Sequence, residues 1–144
     1  MDGATPQWSH DVVLSVLARS ASDQIKAFAE TLLPLLGPLE VLQSRTGLVM
    51  LPMRDTAQGT AFHLGEVLVS EAHVKCGDHQ GYGMRRDRDL EAAMAMALVD
   101  LALDAGIAVA QCQAFLADQQ ARQQAEDHET LCRIEATRVD METF

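Results

Sequence analysis

Residues 62–103 read FHLGEVLVSEAHVKCGDHQGYGMRRDRDLEAAMAMALVDLAL, and this run decides the fold. Glu71, His73 and Lys75 alternate with Ala72, Val74 and Cys76, the pattern of a strand with one buried face. From Asp89 onward the period lengthens. Leu90, Ala93, Met94, Ala97, Leu98 and Leu101 fall at i, i+3, i+4, i+7, i+8 and i+11, an apolar helical stripe with Asp89 as N-cap and Gly106 as stop. That helix belongs against the sheet. Between strand and helix stand Arg85, Arg86 and Arg88, a basic island in a chain of formal net charge -10.

Upstream, Ser9 precedes HDVVLSVLAR, where Val12, Val13, Val16 and Leu17 recur at helical spacing, so a short helix ends near Arg19. Ser20 stands three residues before Asp23 like a capping box, and Ile25, Phe28, Ala29 and Leu32 form the next stripe, with Pro34, Gly37 and Pro38 as stops. From Leu39 to Met84 the segments LEVLQ, TGLVMLPM, TAFHLGEVLVSEAHVKC and GYGM read as three or four antiparallel strands. Pro52 falls at a strand end or edge, and the change of parity around Gly65 predicts a bulge or bend there. Downstream, a helix is expected from about Ile107 to Asp140. Its middle, DQQARQQAEDHET, carries only Ala121 and Ala125 as apolar residues. Two alanines bury too little area to hold such a helix on a domain. It is either a solvated helix held by propensity or an arm that docks on another chain through Leu131, Ile134 and Val139. The expected architecture is α+β: one domain over residues 1–144, a small antiparallel sheet packed with helices, a flexible start at 1–8 and a helical arm at 107–144.

Composition narrows the function. The chain has 144 residues, 48% of them hydrophobic, 22% charged and 4% aromatic, enough for one core but short of platforms for stacking bases. A pI of about 4.7 argues against duplex nucleic acid or an anionic membrane surface as partner. No signal-peptide pattern or membrane-length apolar run is present, and Cys76, Cys112 and Cys132 are unpaired in spacing, so a cytoplasmic protein with reduced thiols is expected. His73, Cys76 and His79 are the tightest group of metal-ligating types, but strand alternation sets His73 and Cys76 on opposite faces, and no metal site is expected. GYG at Gly81 to Gly83 lacks the third glycine of a dinucleotide fingerprint, and no nucleophile motif is present, so no catalytic residue is assigned.

The anion-binding candidates are Arg85, Arg86 and Arg88 with the first amides of the Leu90 helix, since guanidinium forks and a helix N-terminus both favour phosphate or phosphonate oxygens. The competing assignment has Asp87 and Asp89 neutralise these arginines on a solvated loop, with Asp89 taking the amides as cap.

Several blocks resemble one family in order over residues 10–144: SVLARS from Ser15, Arg45-Thr46-Gly47-Leu48-Val49, FHLGEVLVSEAHV from Phe62, GYG from Gly81, Arg88-Asp89, LVDLAL from Leu98 and the C-terminal ATRVDMETF. They resemble the PhnG family, the G subunit of the bacterial carbon–phosphorus lyase core complex. The LGEVLVSEA and ATRVD blocks are the most specific. The chain departs from the family pattern at Asp87, where a glycine is common, and at Ala92 and Met94, which replace a His and a Glu.

The resemblance implies an accessory or scaffold subunit. It would sit in a core complex with the H, I and J subunits, which the L subunit joins transiently. There it would act with H, I and L in displacing the base of ATP or GTP by a phosphonate, while the radical step that cleaves the C–P bond belongs to J. The nucleotide is then a substrate of the complex, and no cofactor is held by this chain. Arg138 and Asp140, in the matched ATRVD block, join Leu131, Ile134 and Val139 as partner-binding candidates. The competing class is a free-standing anion-binding or regulatory homodimer that uses the Arg85 to Arg88 loop; a third is an independent small-molecule enzyme.

Overall fold

The computed structural model describes residues 8–54 and 62–142, with backbone alone for 50–54, 62–65 and 137–142. Two helices come first, α1 (His10–Arg19) and α2 (Ser22–Leu36). Strands β1 (Glu40–Arg54), β2 (Phe62–Cys76) and β3 (His79–Arg86) follow, then α3 (Leu90–Ala105) and α4 (Val109–Glu142). The strands form an antiparallel sheet in the order β1-β2-β3, so the expected α+β class holds. Of the expected start at 1–8, residues 1–7 lie outside the described residues, and Trp8 packs half-buried against the core.

The β2–β3 hairpin closes through a two-residue turn, with Cys76 opposite His79 and Gly77 at φ 61, a conformation that an L side chain resists. In the strands that flank the turn, Ala72 pairs with Gly83 and Val74 with Gly81, on the face that receives α3. A β-carbon on Gly81 would stand 2.1 Å from the Ala97 carbonyl oxygen, and one on Gly83 would stand 2.2 Å from that of Ala93. The helix backbone therefore rests directly on the strand. GYG is a packing motif here: two glycines clear the path of α3, and Tyr82 between them points to the opposite face.

Because α3 is pressed against the sheet on one side and covered by other helices elsewhere, burial runs around most of its circumference. Ala92, Ala95, Met96, Val99 and Ala102 are buried together with Ala93, Ala97, Leu98 and Leu101. The single stripe expected from spacing is therefore too narrow. Its first member, Leu90, is exposed, because α3 has only begun to enter the core there. A helix apolar on all sides is a core helix. Around it pack Val13, Val16 and Leu17 of α1, Ile25, Leu32 and Leu36 of α2, and Cys112 and Leu116 of α4.

Five local expectations are corrected. Ser20 is the C-cap of α1: its amide and hydroxyl both donate to the Leu17 carbonyl, and the N-cap position of α2 falls to Ala21. Pro34 lies inside α2, which runs on to Leu36 because Leu32 and Leu36 are both buried, and ends before Gly37 at φ 73. LEVLQ and TGLVMLPM are one strand, β1. The irregularity in its pairing is a register shift between Val41 and Gln43, whereas the ladder runs unbroken past Gly65, which pairs with Leu51. Helix α4 starts at Val109, after Gly106 and Ala108 turn the chain with φ 72 and 51.

The polar middle of α4 has a specific answer. Gln119 and Gln123 are buried, although neither is apolar. Gln119 Oε1 accepts from the Ala21 amide at 3.2 Å, and its Nε2 donates to Gln24 Oε1 at 2.5 Å. Gln123 Nε2 donates to the Val16 carbonyl at 3.0 Å, and Arg19 forms a two-point ion pair with Asp127. The middle of α4 is thus held on the junction between α1 and α2 by side-chain amides that satisfy helix-end groups. Beyond Asp127, residues 128–136 are all exposed.

Gly81→Ala is expected to destabilise the chain by about 3 kcal/mol or more through overpacking at the Ala97 carbonyl. Leu98→Ala should cost about 2 to 5 kcal/mol as a cavity. Urea unfolding of both variants checks this, and a Gly81→Ala loss under about 1 kcal/mol would show that α3 does not rest on the strand.

Candidate functional site

Strand parity separates the arginines. Arg85 pairs with Ser70 and points to the helical side, whereas Arg86 pairs with Val69 and belongs to the open face of the sheet. Arg85 donates to the Leu17 carbonyl at 2.5 Å, the Ser20 hydroxyl at 3.0 Å and the Ser20 carbonyl at 2.7 Å. It closes the C-terminal end of α1, and burial lowers its pKa from the ordinary guanidinium value. Arg86 and Arg88 are exposed, with no hydrogen bond or ion pair among the described residues. The three do not converge on one ligand position.

The start of α3 is closed as well. Asp87 takes φ 75 in the turn, and the buried Ser70 hydroxyl donates to its carbonyl at 2.7 Å and accepts from the Asp89 amide at 2.8 Å. Asp89 Oδ1 accepts from the Ala92 amide at 3.1 Å; Oδ2 accepts from the Ser22 hydroxyl at 2.8 Å and lies 3.2 Å from Lys26 Nζ. The Ser22 hydrogen bond, then the Ala92 amide and Lys26, hold Asp89 below the usual carboxylate range. Asp89 is therefore the cap that the sequence predicts. Its ionic partner is Lys26 of α2, however, and not one of the neighbouring arginines, so the carboxylate locks α3 onto α2.

The open face of the sheet carries a polar constellation that the sequence reading did not assemble. Glu71 on β2 accepts from Arg45 Nε of β1 at 2.9 Å and from the Tyr82 hydroxyl of β3 at 2.5 Å. Next to it, His73 Nε2 donates to Gln80 Oε1 at 2.8 Å, and its ring meets that of Tyr82 edge-on. The bonds from Tyr82 and Arg45 hold Glu71 below the usual carboxylate range, while burial and the Glu71 bond push Tyr82 up to about 12. Neither group changes protonation near neutral pH. The arrangement orients side chains on a face that no described element covers; it is not a poised acid and base. The alternation of Glu71 and His73 was the legible signal, but their partners lie on other strands.

On the edge of the sheet, two carboxylates of α3 reach the outward amides of β3. Asp100 Oδ2 accepts from the Tyr82 amide at 3.0 Å and Asp104 Oδ2 from the Gln80 amide at 3.2 Å. The spacings match, since i,i+4 on a helix spans about 6 Å and i,i+2 on a strand about 6.8 Å. Asp100 is buried, which raises its pKa, and its other oxygen accepts from His10 Nε2 at 2.9 Å.

The remaining candidates fall as follows. Cys76 donates to the Leu36 carbonyl on the helical side, opposite His73, and burial pushes the Cys112 thiol up to about 11, which leaves it a packing residue. Among the described residues no group of three or more His, Cys, Asp or Glu is placed to hold a metal ion. Leu131 and Ile134 are 56% and 52% exposed on the far end of α4. The side chains of Arg138, Val139 and Asp140 lie outside the described residues. A shallow groove of about 370 Å³ between α2, α3 and β1 is lined by Lys26, Leu33, Ser44, Leu90 and Met94 among others.

Compared with known proteins, the chain matches the family model described as phosphonate metabolism protein PhnG over residues 10–144. No curated protein matches it.

Asp89 and Glu71 have folded-state pKa values below those of the unfolded chain. Their stabilisation is present above the unfolded carboxylate range and is lost as pH falls through the folded values. Asp89→Ala is expected to cost about 1 kcal/mol at neutral pH as a lost cap and to flatten the acid limb of the stability curve. Urea unfolding between about pH 7 and about pH 3 measures both effects; an acid limb as steep as that of wild type would remove Asp89 from the linkage.

Proposed function

The chain belongs to the PhnG family of phosphonate metabolism proteins, and from that premise we propose that it is a non-catalytic scaffold subunit of the carbon–phosphorus lyase core complex. In this reading it supports the transfer of a ribosyl triphosphate unit from ATP or GTP to a phosphonate, with release of the base, in the cytoplasm. It would do so bound to the H, I and J subunits, with the L subunit joining transiently.

The observation that carries the reading is the far end of α4. Up to Asp127 the helix is engaged with α1 and α2, but residues 128–136 touch water, and Leu131 and Ile134 are spaced i,i+3 on that exposed stretch. An exposed helix with apolar residues at this spacing fits the groove of a partner. The chemistry agrees with it. Glu71, Asp89, Asp100 and Tyr82 are each engaged in holding elements of this chain together, which suits a part that shapes a complex. A free-standing anion-binding homodimer built on Arg85 to Arg88 has less support, because Arg85 is committed to Leu17 and Ser20.

Co-expression with the H, I and J subunits, followed by affinity capture, tests the proposal. Wild type is expected to co-purify in fixed ratio, and Leu131→Asp with Ile134→Asp should reduce capture by about tenfold or more while thermal unfolding of the isolated chain stays within about 0.5 kcal/mol of wild type. Capture without the other subunits, or capture indifferent to the double substitution, would sink the assignment.

A further inference from the structure

We propose that β1 pairs with β1 of a second copy of this chain, antiparallel and centred on Gly47, so that the two sheets become one. The inference goes beyond the subunit assignment and does not depend on it.

The two edges of the sheet are treated differently. On β3 the outward amides of Gln80 and Tyr82 are taken by Asp104 and Asp100. These bonds also fix the phase of the whole ladder. With even-numbered β3 residues facing out, odd ones face β2, as the bond from the Asp87 amide to the Leu68 carbonyl continues. Since direction alternates along an antiparallel strand, odd residues of β2 bond to odd residues of β1. The outward positions of β1 are then Ser44, Thr46, Leu48, Met50 and Pro52. Among the described residues no element lies beyond β1, and residues 43–45, 47 and 48 are exposed. A long unpaired edge of this kind is a template for another strand.

Two features interrupt that edge, the register shift at Leu42 and Pro52, which stands in the outward phase and has no amide hydrogen to offer. Leu42 lies five residues before Gly47 and Pro52 five after it. In antiparallel self-pairing about Gly47, each copy's Leu42 faces the other's Pro52, so both interruptions coincide and no donor is wasted. Within the window Thr46 faces Leu48, Ser44 faces Met50 and Arg45 faces Val49, so no like charges stand opposite. The acidic end of one strand at Glu40 lies alongside the basic end of the other at Arg54. An unrelated strand would have no reason to match this symmetry.

Gly47 is the second observation. Among the described residues nothing accounts for a glycine there, since its φ is not positive and a β-carbon would meet nothing within 4 Å. At the centre of the self-pair it occupies a non-hydrogen-bonded position, where the two α-carbons approach to about 4.5 Å. With no side chain on either copy, the pair on the symmetry axis forms without crowding, at a spacing that this kind of pair also has with other residues.

The test uses the full chain. Gly47→Cys in a Cys132→Ser background is expected to form a symmetric disulfide-linked dimer on mild oxidation, because that α-carbon spacing lies at the near end of the range a disulfide spans. Ser44→Cys in the same background faces Met50 and should not. Sedimentation equilibrium of wild type should show a dimer, and Leu48→Lys, at a position already 62% exposed, should weaken it by about tenfold or more with unchanged circular dichroism. A wild-type monomer at the highest soluble concentration overturns the proposal. So does a dimer that ignores Leu48→Lys, or a position 47 that cross-links only to another subunit. Failure here leaves capture by the H, I and J subunits untouched, so the two readings fail separately.

Discussion

The contact between the α3 backbone and Gly81 and Gly83 is the constraint on which the rest of the structure depends. With the Ala93 and Ala97 carbonyls seated where side chains would otherwise stand, α3 is close enough for Asp100 and Asp104 to reach the amides of the neighbouring strand edge. The same placement brings Asp89 to Ser22 and Lys26 and leaves α3 enclosed by α1, α2 and α4. It also makes the sheet one-sided. Helices cover the face that carries Gly81, Ala72 and Val74, while Arg45, Glu71 and Tyr82 organise the other.

Much of this was legible where the cause is local. Ser9 caps α1 and Asp89 caps α3 because each hydrogen bond reaches only three residues, to Val12 and to Ala92. The alternation from Glu71 to Cys76 exposed β2, and it also separated His73 from Cys76. Distant causes stayed hidden. Ser20 has the look of a helix start, but Arg85, 65 residues away, joins it in closing the end of α1. Gln119 and Gln123 count as polar in any pattern, yet they are buried because carbonyl and amide groups at helix ends need partners that an apolar side chain cannot supply. The basic island looked like one site because its residues are adjacent in the chain; in a strand, adjacency means opposite faces.

The functional picture follows from where the chain leaves its groups uncommitted. The carboxylates with shifted pKa values, Glu71, Asp89 and Asp100, all brace one element against another. Among the described residues, the surfaces open to other molecules include the far end of α4, the edge of β1, the sheet face around Glu71 and the exposed Arg86 and Arg88.

The mode of attachment of α4 has a thermodynamic consequence. Between Gln119 and Asp127 the helix is held by amides and an ion pair over little apolar area, so its release from α1 and α2 hydrates few carbon atoms. Heat capacity and denaturant sensitivity both scale with newly wetted surface. The release of this half of the helix would therefore weigh less in calorimetry and in urea unfolding than an opening of the α3 core. Salt weakens the exposed Arg19 and Asp127 pair and so bears on this segment more than on the α3 core.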